Sequence, residues 1–228
     1  LDFERIVPGS GEVALLWFNP YAGVAIKTPT KTLVVDPVNV NAKAFPTVDA
    51  LLITHEHYDH LDQSLVRELH KRTNCLVIAD ATSARRLENM VADEKLLEAK
   101  PGLETKIGEV IVKAEKCHHP PASTPITFII KTEDGITIFH TADSLPFPEM
   151  QEIGGREKLD IVFCTVGIAP GASPRTGVEI AKLVKPKVAV PYHTNSTADL
   201  NRFAQILAEE MPNVKCMFIE RGKPHKYP

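Results

Sequence analysis

Residues 54–62 read Thr54-His55-Glu56-His57-Tyr58-Asp59-His60-Leu61-Asp62, so three histidines and an aspartate fall within six positions. Imidazoles packed this densely would repel one another when protonated and waste hydrogen-bonding capacity when buried, so the segment points to a cation. In an extended or loop segment, alternate residues project to one side. His55 and His57 can therefore share one ion, while Asp59 and His60, slightly further on, can reach a second. Neutral imidazole beside carboxylate suits zinc, iron or manganese. Two such ligands per ion are too few, so further ones are expected at other loop positions.

Three later segments offer them. Cys117-His118-His119-Pro120-Pro121, Phe139-His140-Thr141-Ala142-Asp143-Ser144 and Pro191-Tyr192-His193-Thr194-Asn195 each follow an apolar run. Together with the first cluster they contain seven of the nine histidines; the other two, His70 and His225, read as helix-surface and tail residues. Other chemistries lack their signatures. There is no G-x-S-x-G elbow for a serine hydrolase. His55-Glu56 begins like H-E-x-x-H, but position 59 is Asp, which rules out a thermolysin-type site.

The elements that must position these residues are legible as short apolar runs. Strands are expected at 13–18, 23–26, 33–35, 48–53, 75–79, 107–114, 125–131, 136–140, 159–166, 187–190 and 214–220. Leu61, Leu65, Val66 and Leu69 have helical spacing, with Asp62 placed to cap. Further helices are expected at 83–92, at 176–184 with Thr176 as cap, and at about 198–210, with a Pro-rich loop at 145–148. Strands come first in each half and helices after them, which predicts a layered α/β protein of two similar halves. No flexible tether interrupts the chain, so residues 1–228 are expected to form one domain.

Bulk properties narrow the partners. The 228 residues carry a net charge of -3 with no long Lys or Arg run, which argues against a nucleic-acid partner and for a small-molecule substrate. No apolar run approaches the roughly 20 residues of a membrane span, and Leu1-Asp2-Phe3-Glu4 lacks a signal-peptide pattern. The four scattered cysteines contain no C-x-x-C and read as reduced and mostly core. Only Cys117 stands beside a candidate ligand. The expected compartment is the cytosol, and a homo-oligomer is compatible with all of this.

The whole constellation resembles the metallo-β-lactamase superfamily. T-H-E-H-Y-D-H-L-D matches its H-x-H-x-D-H signature, and the later His, Asp and His follow in the superfamily's order. The resemblance covers nearly the whole chain, and V-D-A-L-L-I-T-H-E-H-Y-D-H-L-D looks most similar to the L-ascorbate 6-phosphate lactonase-like group. It implies a four-layer αββα sandwich and two divalent ions, zinc foremost, with manganese or iron as alternatives. One ion would take His55, His57 and a histidine of the 118–119 pair. The family interval favours His119, 24 residues before Asp143, with His118 in reserve. The other ion would take Asp59, His60 and His193, and Asp143 would bridge. One departure is that Phe18-Asn19-Pro20-Tyr21-Ala22-Gly23 stands where related sequences often carry Gly-His.

The implied activity is hydrolysis of a small lactone, ester or phosphoester by a hydroxide held between two ions about 3.5–4 Å apart. Asp59 is expected to orient that hydroxide as well as bind metal. His140 is a candidate donor to substrate or leaving group, and equally a support for a ligand. Asp36, at a strand end, could bond a ligating imidazole from behind. Tyr192, Thr194 and Asn195 could line the pocket. Alternatives on the same site are a glyoxalase II-like thioesterase, a phosphodiesterase, or a metal-binding protein without turnover.

Overall fold

The computed structural model describes residues 2–228. The first half builds β1 (Val13–Trp17), β2 (Val24–Lys27), β3 (Thr32–Val35), β4 (Ala50–Ile53), β5 (Leu76–Asp80) and β6 (Leu96–Ala99). The second builds β7 (Glu104–Ile107), β8 (Val110–Lys116), β9 (Ile126–Lys131), β10 (Thr137–His140), β11 (Ile161–Thr165), β12 (Val188–Tyr192) and β13 (Lys215–Cys216). A last strand, β14 (His225–Tyr227), returns to the first sheet. The two seven-stranded sheets run β14-β1-β2-β3-β4-β5-β6 and β13-β12-β11-β10-β9-β8-β7. Each is antiparallel over its early strands and parallel from β3 to β6 or from β10 to β13.

The alternation of strand side chains sorts the apolar residues into three cores. Leu15, Leu33, Val35 and Leu52 meet Val112, Phe128, Ile138, Phe163 and Val190 between the sheets. Ala14, Leu16, Val34, Leu51 and Ile53 point the other way, under α1 (Gln63–Thr73) and α2 (Ala81–Leu87). Phe139, Val162, Cys164 and Ala189 pack beneath α3 (Met150–Arg156), α4 (Pro174–Val184) and α5 (Thr197–Glu210). Strands buried on both faces read as unbroken apolar runs, and the product is the expected four-layer αββα sandwich. Gly154 lets α3 close on the end of α4, since a Cβ there would lie 2.7 Å from the Val184 carbonyl.

Several expectations need correction. The run expected as one strand at 107–114 is the β7–β8 hairpin, turning at Gly108 with φ +61°. Asp62 does cap α1, accepting from Leu65 N. At α4, however, Ser173 is the cap, and Thr176 is its reciprocal partner in a capping box. The helix expected at 83–92 is Ala81–Leu87, capped by Asp80, and α3 was missed because Gly154 and Gly155 dilute its pattern. Of the closing run 214–220 only β13 is strand. His70 is not a surface residue. It is buried, its Nδ1 lies 2.9 Å from the Cys75 carbonyl, and its Nε2 accepts from Ala92 N, closing the end of α1. His225 opens β14, opposite Leu15. Among the described residues, no helix is long and apolar enough to cross a membrane.

Candidate metal centre

All the site loops leave the sandwich at one end. Asp36 follows β3, and His55 to His60 follow β4, which is parallel to β3. β8 and β10 are both antiparallel to β9 and so point the same way, while β12 runs with β10 through the parallel β11. The loops carrying His119, Asp143 and His193 therefore emerge beside one another.

The side chains converge into two groups. His55, His57, His119 and Asp143 bring one ligand atom each within 4.8 Å of one another, and so do Asp59, His60, His193 and Asp143. Asp143 belongs to both. His119 is buried and stands in the first group, whereas His118 is exposed, tilted toward Phe147 and in neither group. Cys117 joins neither group. Burial, with Asp143 nearby, pushes its thiol well above the ordinary range, so it holds its proton at neutral pH.

The hydrogen bonds behind the site assign its protons. Asp36 is fully buried and accepts from Thr54 N (2.8 Å), Thr54 Oγ1 (2.7 Å) and His60 Nδ1 (2.6 Å). The His60 proton therefore lies on Nδ1, and Nε2 faces the cluster. Thr54 gives its hydroxyl hydrogen to Asp36, so it can only accept from His55 Nδ1 at 3.0 Å. That leaves His55 Nε2 as a free lone pair, buried and without a hydrogen-bond partner. Asp36 thus orients two imidazoles, one directly and one through Thr54, as outer carboxylates do for metal-ligating histidines.

The front of the site is crowded with nitrogen and oxygen atoms. His57 Nδ1 and His119 Nε2 lie 3.2 Å apart, and His60 Nε2 and His193 Nε2 lie 3.3 Å apart, each within hydrogen-bond distance. Asp143 Oδ1 is 2.8 Å from His193 Nε2 and 2.9 Å from His60 Nε2, yet it has no hydrogen-bond partner, and neither does His55 Nε2. A buried polar atom left unpaired costs about 1–3 kcal/mol. Imidazole and carboxylate atoms gathered this closely, two of them unpaired, fit divalent ions, for which neutral imidazole and carboxylate are suitable donors.

Charge is arranged to the same end. Burial holds the His55 imidazole below its ordinary value, and His60 adds to this. Burial pushes His119 down to about 4, so both rings are neutral at pH 7. Burial alone would lower His60, but Asp143 and Asp36 outweigh it and hold that ring well above the ordinary imidazole value. Burial alone would raise Asp143, but His60, His193 and His55 hold it well below the carboxylate range. Asp59 follows the same pattern, with His60 overriding burial to keep it ionised.

His140 is placed differently from the catalytic part expected of it. It is 0 % exposed, and both nitrogens are engaged within the protein. Nε2–H donates to the Ala22 carbonyl at 2.7 Å, and Nδ1 accepts from Ala142 N at 3.3 Å. Burial keeps the ring neutral. Ala142 has φ 49°, a left-handed conformation that costs a non-glycine residue about 1–2 kcal/mol. Its carbonyl accepts from the Thr165 and Tyr192 hydroxyls. His140, Thr165 and Tyr192 thus hold the strained turn that presents Asp143. Tyr192 is fully buried and does not line a pocket, whereas Thr194 and Asn195 border a cleft beside Trp17. Asp36 and His193 are also left-handed, with φ 48° and 62°. Sequence reasoning missed Thr54, although it directly precedes His55. It also missed Tyr21, which packs edge-on to His193 with ring centroids 6.2 Å apart.

Known proteins agree with this architecture. A metallo hydrolase of Ignicoccus hospitalis superposes with a TM-score of 0.80 at 21% identity, covering 95% of this chain and 99% of its own. A UPF0173 protein of Pyrococcus abyssi is 28% identical over 78% of this chain and 82% of its own length. A protein described as a UPF0173 metal-dependent hydrolase, from Lysinibacillus sphaericus, is 26% identical over 90% of this chain and 96% of its own. The finer kinship with the lactonase-like group gains nothing from these likenesses. The family model for the beta-lactamase superfamily domain matches residues 16–194, and with the histidine and aspartate ligands falling in that stretch, the chain belongs to that superfamily.

Proposed function

We propose that this chain is a binuclear metal-dependent hydrolase acting on a small lactone, ester or phosphoester. The observation that carries this reading is the pair of largely buried His/Asp groups joined at Asp143, each with four potential ligand atoms within 4.8 Å of one another. His55, His57 and His119 would hold one ion, Asp59, His60 and His193 the other, and Asp143 would serve both. Divalent ions bound there would bring the pKa of water from about 15.7 toward about 7 and polarise a carbonyl or phosphoryl oxygen. The donor set suits zinc and equally accepts manganese or iron.

The chain's own residues supply the rest. Asp36 and Thr54 keep the ring protons of His60 and His55 on the far side from the reacting centre. Asp59, held ionised, would bind metal and orient the attacking water. No thiol competes as nucleophile, since Cys117 and Cys164 are both held protonated by burial. The metal-dependent hydrolase description of the Lysinibacillus sphaericus relative supports the reading. The test is metal analysis of protein purified without chelator, followed by a panel of lactones, carboxylic esters and phosphoesters. About two ions per chain and turnover abolished by chelation are expected; a chain that binds no metal after reconstitution refutes the proposal.

A further inference from the structure

An open cleft of about 600 Å³ is linked to His193 through Tyr21, one of its walls. Its walls include Tyr21, whose ring meets His193, and Tyr58, which stands in the chain between His57 and Asp59. The two rings lie edge to face with centroids 6.4 Å apart. Tyr58 is 80% exposed, so its ring is open to a ligand in the cleft. Between the tyrosines and the start of α1, the lining is Asn39, Asp62, Gln63 and Ser64.

The charge of this lining is informative. Among the described residues, no Lys, Arg or His lines the cleft, and its one charged side chain is the Asp62 carboxylate. Anion sites are ordinarily built from Arg, Lys or free N–H groups at a helix start. The start of α1 does border the cleft, but Asp62 already occupies it, accepting from Leu65 N. The cleft beside Trp17, by contrast, carries a cation, Arg221, which bonds Asn195 at 2.8 Å and lies 5.8 Å from the Trp17 ring. What remains is two aromatic faces with amide and hydroxyl groups, a lining for an uncharged, flat polar group.

We infer that the Tyr21–Tyr58 cleft is the substrate-recognition subsite, and that it selects an uncharged lactone or carboxylic ester of a ring compound over one bearing a phosphate or carboxylate on that ring. This rests on the hydrolase reading and narrows it. An anionic substituent would face Asp62 and find no counter-charge, whereas a neutral ring can pack against the two phenols. Tyr58 acts as a specificity determinant, touching the part of the substrate that does not react.

The test uses metal-loaded protein and two probe pairs. One pair is a γ-phenyl-γ-butyrolactone and its 4-carboxyphenyl counterpart; the other is the matching lactams, which keep the shape and resist hydrolysis. The neutral lactone is expected to show the lower KM by about tenfold, and the lactams the same order in Kd. Tyr58→Ala is expected to raise the neutral lactone's KM about threefold to tenfold with a smaller change in kcat, and Tyr58→Phe to restore it. Ser64→Lys, on an exposed helical position, is expected to narrow the gap between neutral and carboxylated probes. Equal or tighter binding of the carboxylated members, or lactam affinity indifferent to Tyr58→Ala, overturns the inference. If the metal-loaded protein turns over no member of the lactone, ester and phosphoester panel but the neutral lactam binds through Tyr58, the hydrolase reading fails and the subsite stands. If nothing turns over and neither lactam binds, both fail.

Discussion

The Asp36 carboxylate lies 2.6 Å from His60 Nδ1, on the side of the ring facing away from the other ligands. The opposite nitrogen of the same ring lies 2.9 Å from Asp143. His60 is therefore suspended between two carboxylates, one setting its tautomer and the other sharing its target.

That arrangement makes Asp36 a residue whose loss is felt at the ions. Asp36→Asn keeps the volume but cannot accept all three donors. Metal affinity of the His60 group is expected to fall about 10–100-fold, the usual cost of losing such a partner. Titration with a competing chelator measures it; an unchanged affinity contradicts the assignment.

The two groups predict different stoichiometries for different variants. His119→Ala touches only the group with His55 and His57, and His193→Ala only the group with Asp59 and His60. Each is expected to retain about one ion per chain by mass spectrometry. Asp143→Ala weakens both groups and is expected to retain less than either. Two ions in all three variants would contradict the grouping.

Loading is expected to expel a proton. In the metal-free protein, His60 is held well above its ordinary 6.5 by Asp143 and Asp36 against the pull of burial, and so is charged at neutral pH. A ligand must offer a lone pair, so the ion displaces that proton. Metal affinity should therefore rise with pH throughout the range below that raised value and flatten once His60 is neutral. The sign for stability is opposite. In the metal-free chain, His60 contributes stability that is fully present below its unfolded value and lost as pH rises through its folded one. Calorimetry in buffers of different ionisation enthalpy reads the proton directly.

His140 separates stability from chemistry. His140→Ala would leave the Ala22 carbonyl and the Ala142 N–H buried without partners and open a cavity beside Phe163 and Tyr192. A loss on the order of 3 kcal/mol is expected, roughly 10 °C in Tm for a chain of this size. Asp143 presentation should loosen with it. A variant with unchanged Tm and abolished turnover would return His140 to a catalytic part.

The convergence of the candidate ligands was legible because they combine a rare residue type with a fixed position after apolar runs. His55, His57, Asp59 and His60 are adjacent in sequence, and His119, Asp143 and His193 each follow a strand that reads as such. The double-sheet core was legible because strands such as Ile161–Thr165 are buried on both faces. What escaped depends on side-chain direction or backbone strain. Nothing in the spelling of Ala142 announces a left-handed turn, and His140 carries the same letter as the ligands while facing inward. The capping pair Ser173–Thr176 was read one member short, although Ser173 followed by Pro174 at the first helical position is itself a helix-start signal.

Both ligand groups draw on each half of the chain. His55 and His57 come from the first sheet's loops and His119 from the second's; Asp59 and His60 likewise face His193. Ions seated there would rivet the sandwich along its open rim, where no strand pairs across the seam. Neither half, cut from the other, owns a complete coordination set. Metal binding would therefore add to the stability of the joined sandwich, on top of the apolar core between its sheets.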